Sequence, residues 1–161
     1  MTIEIRGADD PASLDAARAL VRAHILAHST AHDAESAERI VEALPSPYVA
    51  LWVAWRVGPA HGDEALGCVA LHELAPDTAE LKRMYVRPEA RGRGVARRLT
   101  EHAIAAATAR GYVRLRLGTL TTMHAAQRLY VGMGFVRIPP YRPVEFGETW
   151  FYERPLDGPA G

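Results

Sequence analysis

Hydrophobic and polar positions change period several times along the chain. Ile3 to Arg6 alternates like a short strand. Asp9-Asp10-Pro11 then opens a stretch in which Leu14, Ala17, Leu20, Val21 and Ile25 recur at helical spacing. Asp33 to Leu44 predicts a second helix with Ile40, Val41 and Leu44 inward, ended by Pro45-Ser46-Pro47. Tyr48–Val57 and Ala65–Leu74 predict strands joined by a hairpin loop over residues 58–63, and Ala79–Arg87 a third. Val95–Arg110 predicts a helix with Val95, Leu99, Ala103 and Ala106 on one face and Gly111 as its stop. A strand over Val113–Thr119, a helix over Thr122–Met133 and strands over Phe135–Ile138 and Thr149–Arg154 complete the chain. The order β-αα-βββ-α-β-α-ββ is that of an α/β protein with a mixed sheet. The absence of a long linker predicts one domain over residues 1–161.

Composition narrows the functions. The 161 residues carry 48% hydrophobic and 24% charged side chains, ordinary values for a globular chain. Nineteen basic residues balance nineteen acidic ones, which argues against broad contact with nucleic acid but leaves room for a local basic site. Cys68 is the single cysteine, so neither an internal disulfide nor a cysteine metal cluster can form. It lies inside LGCVAL, a core-strand context, and reads as a small buried hydrophobe rather than a nucleophile. The start MTIEIRGADD is unlike a signal segment, and no apolar run is long enough for a membrane span. A cytoplasmic protein without membrane or nucleic-acid partners is expected.

The chemistry concentrates in ELKRMYVRPEARGRGVARRL, residues 80–99. Between residues 82 and 98 lie Lys82, Arg83, Arg87, Arg91, Arg93, Arg97 and Arg98, with Glu89 as the lone acid. Gly92 and Gly94 lead into a helix whose first amides and positive dipole end suit phosphate oxygens. A compact polyanion is implied. A nucleoside-triphosphate loop is excluded because Val95 and Ala96 stand where Lys and Ser/Thr are needed. A dinucleotide fingerprint fails because Arg97 occupies the position of its small third residue.

The segment Arg91-x-x-Gly94-x-Ala96, preceded by Met84-Tyr85-Val86, resembles the acetyl-coenzyme-A loop of the GNAT N-acetyltransferase superfamily. A second block, AAQRLYVGMGF from Ala125 to Phe135, resembles the A-x-x-L-Y-x-x-x-G-F signature of the same superfamily. The resemblance implies acetyl-CoA as cofactor, with its pyrophosphate on the amides of Arg91, Gly92, Arg93, Gly94, Val95 and Ala96. It also implies that the pantetheine arm runs along the backbone of Met84 and Val86, admitted by a splaying of the strands that end near Val86 and Thr119. The implied reaction is acetyl transfer to a primary amine by direct attack in a ternary complex, without a covalent enzyme intermediate.

By the same resemblance Tyr130 is the candidate acid for the leaving thiolate; as a residue it also fits a packed helix aromatic sharing a stripe with Met123, Ala126 and Met133. Glu80, six residues before Val86, is the leading candidate base, with a solvated strand-start carboxylate as the plainer reading. Glu73, His72 and a water relay stay open. Met123 stands where many members carry a cofactor-contacting asparagine, so that contact is not carried over.

The acceptor is read from less. His24, His28 and His32 step by four, and a pocket rim or a solvated face accounts for them better than a metal does. Tyr141, Phe146, Trp150 and Tyr152 with Arg142, Glu145 and Glu148 suit either a small cationic amine or an ordinary closing strand with a partner-facing edge, which leaves a homodimer open. A small-molecule amine is the expected substrate. A non-catalytic acetyl-CoA-binding sensor is the alternative, and the presence of both Tyr130 and Glu80 favours the enzyme.

Overall fold

The computed structural model describes residues 2–28, 34–60, 62–144 and 147–157. Asp33, His32, His61, Glu145 and Phe146, which entered the expectations above, lie outside them. The elements are β1 (Thr2–Gly7), α1 (Pro11–His28), α2 (Ala34–Ala43), β2 (Ala50–Val57), β3 (Glu64–Ala75), β4 (Thr78–Val86), α3 (Val95–Ala109), β5 (Arg114–Leu120), α4 (His124–Gly132), β6 (Val136–Ile138) and β7 (Thr149–Pro155). The sheet is mixed and seven-stranded, in the order β1-β2-β3-β4-β5-β7-β6. This is the α/β element order expected from the sequence, with one unanticipated 3-10 turn over Pro88–Ala90. No helix among the described residues is long and apolar enough to cross a membrane.

The chain forms two compact units, residues 1–72 with 82–103 and residues 73–81 with 104–161. In the first, Asp10 caps α1 by accepting from the Ser13 amide at 2.9 Å. Ala17, Leu20, Val21 and Ile25 then fall on one helical face and are buried. They share a core with Ala37 and Val41 of α2, Leu51 and Val53 of β2, and Cys68 and Ala70 of β3. The β2–β3 ladder is antiparallel, with Val53 opposite Cys68. Leu66 and residues 68–71 are buried, which explains a nearly continuous apolar run in β3.

In the second unit, β5 alternates, with Leu115 and Leu117 buried on one face and Arg114 and Arg116 half-buried on the other. It pairs in parallel with β4 over only three residue pairs, Thr78 to Glu80 against Arg114 to Arg116. It pairs antiparallel with β7, placing Gly118 opposite Phe151. Phe135, Phe151, Tyr152 and Tyr130 fill the core there.

Candidate functional site

The first unit holds the glycine loop. Arg87 donates its amide to Leu66 O at 2.8 Å, which fixes the end of β4, and Ala90 donates to Arg87 O at 2.9 Å to close the turn. Gly92 and Gly94 both take left-handed backbone, with φ of 75° and 79°. A Cβ built on either would meet nothing within 4 Å. The protein's own packing therefore does not demand glycine here; the backbone angle and the open space above it do. The carbonyl of Gly94 accepts from Arg98 N at 3.1 Å, so α3 begins at once and the amides of its first turn have no partners within the helix. This cradle fits a phosphate-bearing ligand.

Three of these cations have definite partners. Arg91 donates Nε to Val86 O at 3.0 Å and lies over the Tyr85 ring at 5.9 Å. Arg87 donates to Ala65 O at 2.8 Å. Arg97 faces Glu101 one helical turn on, both well exposed, a pair worth only a few tenths of a kcal/mol. Arg93 and Arg98 are exposed and have no carboxylate partner among the described residues.

Also in this unit, the His24 and His28 rings meet edge to face at 5.1 Å, and His24 lies 5.9 Å from the Tyr85 ring. Burial, with Arg91 adding to it, holds His28 below its ordinary pKa, so the ring is neutral at pH 7. Cys68 donates its thiol to Arg83 O at 3.3 Å, and burial pushes that thiol up to about 12. It remains a protonated core residue, as expected.

The second unit carries both candidate proton-transfer residues. The Tyr130 ring is buried against Phe135, centroids 5.6 Å apart and steeply tilted. Burial alone raises its hydroxyl to about 12, so the proton stays on at neutral pH.

Glu80 is 1% exposed. Its Oε2 accepts from the Tyr141 hydroxyl and from Arg142 Nε, the latter at 2.7 Å. Burial and then the bond to Glu80 hold the Tyr141 hydroxyl far above its ordinary pKa. Arg142 lies 5.2 Å over the Phe151 ring, and Arg116 lies 5.0 Å over Tyr141 while pairing with Glu153 at 2.8 Å. Gly118 makes this possible: a Cβ there would sit 3.1 Å from Arg142 Nη2 and 3.2 Å from Phe151 Cε1. Glu73 accepts from the Tyr112 hydroxyl at 2.7 Å, and burial foremost raises that hydroxyl to about 12.

Of the closing segment, Tyr152 is core, Trp150 lies under Arg137 at 4.0 Å, and Tyr141 with Arg142 secures Glu80. The sequence reading missed this last grouping; its one signal was a carboxylate set between Ala79 and Leu81 in a strand. At the start of α4, Met123 offers no side-chain cap, and Gln127 Nε2 donates instead to Leu120 O and Thr121 O at 3.0 Å each.

A family model described as the acetyltransferase (GNAT) family matches residues 17–135. The chain is 33% identical to the uncharacterized N-acetyltransferase YsnE of Bacillus subtilis strain 168 over 132 residues, covering 80% of this chain and 83% of that protein. It is 35% identical over 105 residues to the N-acetylaspartate synthetase of Danio rerio, covering 65% of this chain but only 33% of that longer protein. Among solved structures it resembles yncA of Salmonella typhimurium, determined with its cofactor acetyl-CoA. That match has TM-score 0.72 and 22% identity, and covers 100% of this chain and 98% of that one.

Proposed function

The chain belongs to the GNAT acetyltransferase family and is an N-acetyltransferase that uses acetyl-CoA, and we propose that it acetylates the primary amine of a small molecule by direct attack, as one catalytic domain over residues 1–161. The observation that carries this reading is the open left-handed backbone of Gly92 and Gly94 at the head of α3. The similarity to a protein named N-acetylaspartate synthetase supports a small acceptor over a polypeptide.

In this proposal the amides from Arg91 to Ala96 hold the pyrophosphate, with Arg93 and Arg98 adding charge at the surface. The backbone of Met84 and Val86 lies along the pantetheine arm. When bound, acetyl-CoA supplies the acetyl group as an activated thioester. Transfer joins the amine nitrogen to the acetyl carbon, breaks the carbon–sulfur bond, and leaves one proton to remove and one thiolate to protonate.

Tyr130 donates to the departing sulfur. A hydroxyl near pKa 12 facing a thiol of ordinary pKa about 8.5 would surrender its proton uphill by roughly 5 kcal/mol. Tyr130 therefore stabilises the developing thiolate mainly as a hydrogen-bond donor, which a buried and firmly protonated phenol does well. Glu80 acts as base at one remove. Buried and bound by Tyr141, it takes the amine's proton through the Tyr141 hydroxyl, which passes its own proton to Oε2.

Thiol release measured with a panel of small amines and a panel of peptides with free N-termini tests the reading. Turnover of small amines with kcat/KM above the peptides is expected. Turnover confined to peptides would overturn the acceptor class, and acetyl-CoA binding without turnover of either panel would favour a sensor.

A further inference from the structure

Arg83 is the residue other than glycine with positive φ among the described residues, at 56° inside β4. Holding an arginine there takes about 1 kcal/mol, and backbone strain of this kind collects at functional positions. Its side chain is half-buried, and Nε donates to the Tyr48 hydroxyl at 2.9 Å. Among the described residues it has no carboxylate partner, whereas Arg22 and Arg56 of the same unit pair with Glu38 and Glu64. A half-buried guanidinium, turned by a tyrosine and lacking an anion, is arranged to receive one.

A second orphan lies on the same tyrosine. The His72 ring stands edge-on to Tyr48, centroids 6.0 Å apart and 84° between planes. Its Nδ1 is sealed from solvent with no hydrogen-bond partner, although the ring as a whole is only half-buried. Such atoms are rare in folded proteins and are destabilising until satisfied. A half turn of the imidazole about its Cβ–Cγ bond exchanges this nitrogen with Cδ2, on the opposite edge of the half-buried ring.

We propose that Arg83, Tyr48 and His72 form the acceptor subsite and that the acceptor is an α-amino acid. Its carboxylate is held by the Arg83 guanidinium, which Tyr48 orients, and its amine donates to His72. A lone amine would meet a cation and gain nothing from it; a carboxylate alone would leave the ring nitrogen unsatisfied. An amino acid answers both. This rests on the acetyltransferase reading and goes beyond it in naming the substrate class.

The test compares L-amino acids with their carboxamides, which differ only in the group Arg83 would recognise. Native protein is expected to show kcat/KM at least tenfold higher for the acids, because a charge-assisted bond is worth tenfold to a hundredfold. Arg83→Gln should abolish that preference and Arg83→Lys restore part of it. Tyr48→Phe, which keeps the ring and the packing, should reduce the acid preference several-fold even if the Arg83 variants fold poorly. Equal rates for acids and carboxamides in native protein would overturn the subsite.

If neither class is acetylated, the acetyl-transfer reading fails separately, and calorimetric titration of the coenzyme A complex with the same compounds still decides the subsite. Acid binding that requires Arg83 upholds it. Equal or absent binding of acid and carboxamide overturns it.

Discussion

Arg142 Nε and Glu80 Oε2 lie 2.7 Å apart, and the carboxylate is 1% exposed. Removing one member of a buried ion pair leaves the other poorly solvated, typically at 3–5 kcal/mol, and the partial exposure of Arg142 places this pair at about 2–3 kcal/mol. For a chain of this length each kcal/mol shifts the melting temperature by roughly 2–4 °C. Glu80→Gln is therefore expected to lower Tm by roughly 4–12 °C, with part regained when Arg142→Met is added. A Tm within 2 °C of native by calorimetry would show that the pair holds little. Tyr141→Phe separates the proton path from the fold: it leaves the ion pair in place and should still reduce kcat tenfold or more if the hydroxyl relays the proton.

Gly94→Glu tests the loop. No protein atom lies near the new Cβ, so the effect on folding is confined to left-handed strain of about 1–2 kcal/mol. The effect on binding is larger, since a carboxylate then projects where the pyrophosphate is to sit. Affinity for acetyl-CoA should fall tenfold or more by calorimetry. A folded variant with native affinity would disprove the loop assignment.

Ionic strength tests the cations. Arg93 and Arg98 face solvent without carboxylate partners, so an incoming phosphate gains their attraction in full only at low salt. The screening length shortens from about 10 Å at 0.1 M to about 3 Å at 1 M. Dissociation constants for acetyl-CoA should rise several-fold over that range, and Arg93→Gln with Arg98→Gln should flatten the slope. A native slope already flat would reduce the two arginines to a solvated face.

What the sequence disclosed follows the range of the interactions involved. The α1 face, Leu20, Val21 and Ile25 included, was legible because helical burial repeats within a few residues. The loop at Gly92 and Gly94 was legible because its constraint is the conformation of single residues. Boundaries were less so: β2 starts at Ala50 because the Tyr48 amide is turned back to Pro45 O at 2.9 Å, and α4 starts at His124 after an N-cap methionine that offers no cap. Glu80 stood out in the sequence as a candidate base, but its partners lie 61 and 62 positions away. No local pattern connects a strand carboxylate to a tyrosine and an arginine that far along the chain. Arg83 likewise stood out as one cation among seven, and only the fold shows that it differs from the others in its left-handed backbone and in its bond to the Tyr48 hydroxyl.

Tyr130→Phe isolates the proposed donor to sulfur. The substitution keeps the ring against Phe135 and removes the hydroxyl, whose proton burial retains to about pH 12. A well-placed acid is worth roughly a hundredfold, but coenzyme A is a fairly good leaving group and the transfer is uphill, so a fall in kcat of about tenfold is expected. Affinity for acetyl-CoA and Tm at pH 7 should stay near native, because the hydroxyl makes no hydrogen bond among the described residues.

Stability in alkali supplies a second readout with a definite sign. The unfolded tyrosine ionises near pH 10 and the folded one near 12, so burial of the neutral form contributes fully below pH 10, and that contribution is lost as pH rises from 10 to 12. Tyr130→Phe should shrink the alkaline loss of stability in that window while leaving neutral stability unchanged. A kcat within twofold of native on the best acceptor would assign Tyr130 to packing and leave the thiolate to be protonated by water.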